Sequence, residues 1–253
     1  MLLTIDIGNT MTDFGLFDTG EERSFYRIRS NRDLTFEQGR AAILLKFKSE
    51  SLDMKSIDGI ILSSVVPSLT ETYRALAKAL FHLDAKLLGP GLKTGLKVVT
   101  DNPKEVGADM IAAAVGAKSR YGNSCLIADC GTATKIILLD SQGAFAGCTI
   151  GAGIGLQAES LSSSAALLPE VSVQIPPKIL GKNTADCMNS ALTYGNAFGL
   201  SALADALEKE AGYPCKRILT GGFSSFIAPL LPSFSYEPHL VLRGLYDIYA
   251  RNQ

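Results

Sequence analysis

Leu2-Leu3-Thr4-Ile5-Asp6-Ile7-Gly8-Asn9-Thr10 and Cys125-Leu126-Ile127-Ala128-Asp129-Cys130-Gly131-Thr132-Ala133-Thr134 are two versions of one pattern. Each is a short apolar run, then Asp-x-Gly, then small hydroxyl or amide residues. A second apolar run follows each, Phe14 to Phe17 in the first and Ile136 to Leu139 in the second. Apolar runs of strand length around a glycine turn read as two adjacent strands of a hairpin. The copies stand about half the chain apart. Two copies at that separation predict duplicated domains, because a solenoid needs shorter and more numerous repeats.

Outward from the hairpins the pattern alternates. Ser24 to Arg29 reads as a third strand, Phe36 to Ser49 as an amphipathic helix and Gly59 to Val66 as a β-rich run ended by Pro67. Leu69 to Phe81 has helical period, Lys86 to Leu88 and Leu96 to Val99 read as short strands, and Glu105 to Lys118 as an Ala-rich helix. In the second half, Gly143 to Ile150 reads as a third strand and Ala185 to Ala211 holds a long helical stretch. Arg217 to Leu219 is a strand running into Thr220-Gly221-Gly222, a short helix spans Ser224 to Ala228, and Leu240 to Tyr249 is a closing helix. The expected class is α/β. Tyr121-Gly122-Asn123 reads as a turn near the boundary, so the expected domains are 1–118 and 119–253.

Composition narrows the function. Hydrophobic residues are 47% of the 253 and charged residues 19%, enough apolar material for a sizeable core. A formal net charge of −1 gives no global pull toward nucleic acid or anionic lipid. The five cysteines are scattered and none forms a CxxC pair, which argues against a disulfide framework or a structural zinc site. No segment is long and apolar enough to span a bilayer, and Asp6 interrupts the first apolar run. A cytoplasmic protein is expected.

The chemistry sits in the glycine turns. Gly8 lets the backbone approach a phosphate with no Cβ in the way, and exposed N–H groups, Asn9 and Thr10 can donate to phosphate oxygens. Asp6, at the strand end, would face the cation that accompanies a nucleotide, for which one carboxylate suffices with Mg²⁺. An ordinary hairpin turn is the competing reading of either copy alone; the second copy, with Thr132 and Thr134 after Asp129, favours phosphate binding. Gly221 and Gly222 would let an adenine or ribose lie against the backbone, where a plain strand-to-helix turn is the alternative.

In order and spacing these motifs resemble the type III pantothenate kinases, a branch of the acetate and sugar kinase, Hsp70 and actin superfamily. The resemblance runs through Asp6 to Thr10, Ser63-Ser64-Val65-Val66-Pro67, Asn102 to Asp109, Asp129 to Thr134, Leu167-Leu168-Pro169, Gly181-Lys182-Asn183-Thr184, Thr220-Gly221-Gly222 and Leu242-Arg243-Gly244-Leu245. It implies two ribonuclease-H-like (actin-like ATPase) domains with a nucleotide cleft between them, a homodimer, and ATP-dependent phosphorylation of pantothenate, the first step toward coenzyme A. The implied cofactors are ATP, Mg²⁺ and a monovalent cation, K⁺ or NH₄⁺. The implied nucleotide-binding residues are Asp6, Ile7, Gly8, Asn9, Thr10, Met11, Thr12, Asp13, Thr132, Gly221 and Gly222. Asp6 would hold Mg²⁺ and Asp129 the monovalent cation. Asp109 would be the general base, and Gly107, Ala108, Asp109, Met110 and Thr184 would contact the acceptor. Without the resemblance, Asp109 reads as a carboxylate near a helix start, favoured by the helix dipole.

The chain departs from the family pattern at several positions. Met110 stands where the family has Arg, Thr100 where it often has Tyr, and Ala113 where it has Asn. Lys135 replaces the last Thr of Thr-Ala-Thr-Thr, and Ala152-Gly153 replaces Pro-Gly. Methionine supplies neither the charge nor the forked hydrogen bonds of arginine. Three readings stay open: pantothenate held by other contacts, a different small alcohol as acceptor, or a nucleotide-binding regulator without catalysis.

Overall fold

A computed structural model describes residues 1–253 as two compact units. The first comprises Met1–Gly95, Lys104–Ser119 and Val241–Gln253; the second comprises Leu96–Pro103 and Arg120–Leu240. In the first, the strands are β1 (Leu2–Ile7), β2 (Met11–Asp18), β3 (Glu21–Arg29), β4 (Gly59–Ser64) and β5 (Lys86–Leu87). Its helices are α1 (Phe36–Ser49), α2 (Pro67–Phe81) and α3 (Ala108–Tyr121), the last running just past the unit's edge. In the second, the strands are β6 (Cys125–Cys130), β7 (Ala133–Leu139), β8 (Phe145–Ala152), β9 (Lys216–Thr220) and β10 (Ser235–Tyr236). Helices α4 (Ile154–Ser164), α5 (Thr184–Ser190), α6 (Asn196–Ala211) and α7 (Ser224–Ile227) accompany them, and α8 (Leu240–Ala250) closes the chain.

The duplication expected from the two hairpins is visible in the strand orders. One sheet runs β3-β2-β1-β4-β5 and the other β8-β7-β6-β9-β10. In each, the first three strands form an antiparallel meander, and the last two run parallel to the first strand. Asp6 and Asp129 are both the fifth residue of a six-residue strand.

Alternation along the strands gives each sheet two faces. In the first unit Leu3, Ile5, Ile7, Phe14 and Leu16 pack with Ile43 and Phe47 of α1 and Leu69, Tyr73 and Leu76 of α2. Phe14 stacks on Tyr26 with ring centroids 4.3 Å apart and meets the edge of Tyr73 at 5.6 Å. Thr4, Asp6, Asp13 and Gly15 point to the other face, where Leu242 of α8 packs against Gly15. In the second unit Leu126, Ala128 and Cys130 pack with Ile154, Leu192, Ala197, Leu200 and Ile227. Asp129 points to the opposite face. Both aspartates are thus excluded from the main apolar core of their unit.

Several elements differ from expectation. The helical stretch Ala185 to Ala211 is α5 and α6 joined by a π turn over Ala191–Gly195. The Asn196 side chain donates to Leu192 O at 3.0 Å and to Gln157 Oε1 at 2.9 Å, and such insertion into the helical ladder accompanies π turns. Leu96 to Val99 makes only a single bridge, Val98 to Phe145. Helix α4 has no counterpart in the sequence pattern, because Gly and Ser dilute its apolar period. The closing helix α8 packs into the first unit, whereas a division at 118/119 puts it with the second. No helix is long and apolar enough to cross a membrane.

All five cysteines are unbridged; Cys125 and Cys130 are buried, and Cys148 and Cys187 are exposed. Burial pushes the Cys125 thiol up to about 11 and the Cys130 thiol up to about 12, the latter with help from the nearby Asp129 charge. Thiolate is the reactive form. A thiol-reactive disulfide reagent at about pH 8 is therefore expected to titrate Cys148 and Cys187 in the native protein, and Cys125 and Cys130 only after denaturation. Absorbance of the released chromophore checks this.

Candidate active site

In the first unit Asp6 lies directly across from Asp13 on β2 and beside Ser63 on β4. Like charges directly opposite one another are destabilising. Here Arg27 clamps Asp13 with Nε to Oδ1 at 2.5 Å and Nη2 to Oδ2 at 2.6 Å, which leaves Asp6 beside a neutralised partner. The turn after Asp6 is tight. Gly8 N donates to Met11 O at 3.0 Å, and a Cβ at Gly8 would come within 2.9 Å of that oxygen. Asn9 and Thr10 are exposed.

Ser30 braces this turn from the end of the meander. Its N donates to Thr10 O at 2.8 Å, its Oγ donates to Gly8 O at 2.7 Å, and Oγ also shares a hydrogen bond with Thr12 Oγ1 at 2.9 Å. Arg32 Nη2 donates to Asn9 Oδ1 at 3.0 Å, so a guanidinium stands at the rim of the turn. Sequence reasoning missed Ser30 and Arg32. They lie far along the chain, and only the β2–β3 register brings them to the turn. Of the expected nucleotide-binding stretch, Thr12 is fully buried and bonded to Ser30, and Asp13 is committed to Arg27. Asn9 and Thr10 are exposed, and Asp6, Gly8 and Met11 are partly exposed.

The second unit repeats the construction. Gly131 N donates to Ala133 O at 3.1 Å, and Thr132 O accepts from Gly153 N at 3.0 Å, as Thr10 O accepts from Ser30 N. The carbonyl of Cys130 accepts from Phe223 N at 2.8 Å, as that of Ile7 accepts from Val65 N at 3.0 Å. Gly153 is needed there: a Cβ would collide with Gly131 O and come within 2.5 Å of Thr132 O. Gly221 has φ +95°, which favours glycine, and a Cβ would sit 2.5 Å from Asp129 Oδ1 and 2.6 Å from Cys130 N. Asp129, Thr132, Gly221 and Gly222 thus gather at one end of this sheet.

Lys135, one of the departures from the family pattern, stands opposite Asp129 across the hairpin. Its Nζ is 3.0 Å from Asp129 Oδ2, with side chains 13% and 10% exposed.

Asp109 lies in the first turn of α3, partly exposed, and its Oδ1 accepts from Met110 N at 2.9 Å. Gly107 sits under it; a Cβ there would be 2.5 Å from the same oxygen. Met110 is 8% exposed and Ala113 fully buried, so both departures fill the interior of the first unit. Thr184 is exposed at the start of α5 in the second unit. Asn183 caps that helix, accepting from Asp186 N at 2.9 Å. No group of three or more His, Cys, Asp or Glu side chains stands together as a metal cluster.

Comparison with known proteins agrees with this construction. A family profile described as type III pantothenate kinase matches residues 2–206. A protein from Moorella thermoacetica named type III pantothenate kinase is 35% identical over 254 residues, covering all of both chains. Among solved structures, a Campylobacter jejuni protein proposed to be a Baf family transcriptional activator is 21% identical. It covers 99% of this chain and 98% of that one, with a TM-score of 0.60. Component A of (R)-2-hydroxyglutaryl-CoA dehydratase from Acidaminococcus fermentans is 13% identical, covering 100% and 99%, with a TM-score of 0.56. The structural likenesses carry the fold, two ribonuclease-H-like halves of the actin-like ATPase and sugar kinase kind. The full-length sequence match carries more than fold: this chain belongs to the type III pantothenate kinase family.

Proposed function

We propose that this protein transfers the γ-phosphoryl group of ATP to the primary hydroxyl of pantothenate, giving 4'-phosphopantothenate and ADP at the entry to coenzyme A synthesis. The observation that carries the reading is the repeated aspartate-tipped hairpin with its glycine turn, set in a full-length match to this family.

Phosphoryl transfer needs positioning and charge neutralisation more than covalent help. In this proposal the turns Gly8–Thr10 and Gly131–Thr132 supply backbone and hydroxyl donors to phosphate oxygens. Gly221 and Gly222 offer bare backbone to the adenosine. Asp109 takes the proton of the acceptor hydroxyl as its oxygen bonds to the γ-phosphorus and the bond to the β,γ-bridging oxygen breaks. Gly107, Ala108, Met110 and Thr184 are proposed neighbours of the acceptor.

Asp6 fits Mg²⁺, because a partly exposed carboxylate beside a phosphate turn is what an ion held mainly by phosphates and water requires. When bound, the ion would neutralise phosphate charge. Asp129 does not fit a free monovalent cation, because the Lys135 ammonium already stands against it.

A homodimer is proposed as well. Ile179, Leu180 and Phe198 are large apolar side chains exposed on the second unit, and such patches mark association surfaces. Five unbridged cysteines support a reducing, cytoplasmic setting.

ADP release coupled to an optical readout, with MgATP and pantothenate, tests the activity. Saturable pantothenate-dependent turnover is expected. ATP binding without such turnover would reject pantothenate; turnover on another small alcohol would then fit the buried Met110 where the family has Arg.

A further inference from the structure

The surroundings of Asp129 are closed to an ion from solution. Lys135 Nζ sits 3.0 Å from Oδ2, and the backbone at Gly221 crowds Oδ1 so closely that a Cβ there would be 2.5 Å away. The Asp129 side chain as a whole is 10% exposed. One oxygen therefore faces a full positive charge and the other faces packed main chain. A second cation would have to share one negative charge with a tethered ammonium, where water screens poorly.

The register explains how the lysine arrives there. Residue 135 is the direct cross-strand partner of residue 129, so its side chain leaves the hairpin on the same face. A threonine at 135, the family's residue, would place a hydroxyl oxygen beside the carboxylate. Lysine places a cation there, and it is a substituted ammonium ion. The Gly131–Thr132 turn begins two residues beyond Asp129, so the charge is fixed at the base of that turn.

We propose that the Lys135 ammonium takes the place of the dissolved monovalent cation, so that this protein binds and uses ATP without K⁺ or NH₄⁺. The proposal rests on the nucleotide site described above. It assigns Lys135 a positioning role through Asp129 and the adjoining turn.

The test is the affinity for MgATP, or for a non-hydrolysable analogue, by calorimetry in tetramethylammonium chloride, KCl or NH₄Cl at matched ionic strength. Wild-type affinity is expected to be the same in all three salts. Lys135→Thr is expected to bind weakly in tetramethylammonium and to recover with K⁺ or NH₄⁺. The recovery should fall within the range of about 5–150-fold usual for coupled sites. Lys135→Arg, which keeps the charge, is expected to stay insensitive. Thallium-205 NMR supplies a readout free of nucleotide: saturable Tl⁺ binding to Lys135→Thr and none to wild type.

Salt-dependent wild-type affinity, or saturable Tl⁺ binding to wild type, overturns the proposal. So does a folded Lys135→Thr that ignores K⁺. If that variant does not fold, the wild-type measurements decide alone. No acceptor enters these measurements, so a failure of pantothenate turnover does not alter what they say about Lys135. Absence of ATP binding in every salt rejects the nucleotide site, and this proposal with it.

Discussion

Asp109→Asn is expected to lower kcat for pantothenate phosphorylation by about 10²–10⁴-fold, the usual contribution of a positioned general base. The expectation includes an unchanged fold and unchanged ATP affinity. Asparagine is isosteric, and its Oδ1 can still accept the Met110 N–H that Asp109 accepts at 2.9 Å. What it loses is the negative charge and the capacity to take a proton. That loss separates the two roles a carboxylate in the first turn of α3 could have. If Asp109 only complements the helix dipole, the cost is a stability change of about 0.3–1 kcal/mol and activity survives. If it is also the base, the same small stability change comes with a collapse of turnover, kcat and kcat/KM falling together. Melting temperature and steady-state kinetics on the same preparation decide between them. A variant within about three-fold of wild-type kcat would remove Asp109 from the chemistry.

The duplicated hairpins were legible because they are written locally. An apolar run, an aspartate and a glycine turn specify a strand end without reference to the rest of the chain, and Asp6 and Asp129 fall at identical strand positions. The α/β class followed from the same local patterns. What the sequence hid is long-range. Ser30 and Arg32 reach the first turn only through the β2–β3 register, and Gly153 reaches the second through the end of β8. Lys135 could be seen as a departure from a pattern, but not as the partner of Asp129. That required knowing that residues 129 and 135 pair directly across a turn shorter than the one after Asp6. Met110 and Ala113 were visible as changed letters, and their burial was not. The membership of α8 was likewise invisible, because the helix lies beyond the whole second unit in sequence and returns to the first by contacts alone.

Gly244→Ala is expected to destabilise the first unit and to slow catalysis in the same variant. The motif Leu242-Arg243-Gly244-Leu245 lies on α8, and its sequence alone suggests no chemical role. The structure gives it a packing role. A Cβ at Gly244 would fall on the carbonyl oxygen of Ala112 and within 2.6 Å of its carbonyl carbon and 3.0 Å of Gly116 N. The backbones of α8 and α3 touch there. On the α3 side the contact is made by Ala112 and Gly116, in a run of buried small residues. No rotamer can relieve a clash between a methyl and a backbone, so the helices must separate. Overpacking of this kind costs about 1–3 kcal/mol or more, which for a chain of this size lowers Tm by roughly 2–4 °C per kcal/mol. The kinetic consequence follows from position. Asp109 rides on the first turn of α3, and a displacement of about 1 Å at a reacting group can cost about 10²-fold in rate. Gly199→Ala is the control. Gly199 lies inside α6 with nothing within 4 Å of its missing Cβ, and alanine in a helix interior is worth about 0.5–1 kcal/mol over glycine. That variant should melt slightly higher than wild type. A Gly244→Ala protein that melts and turns over like wild type would mean that α8 does not hold α3, and that the placement of Asp109 rests on other contacts.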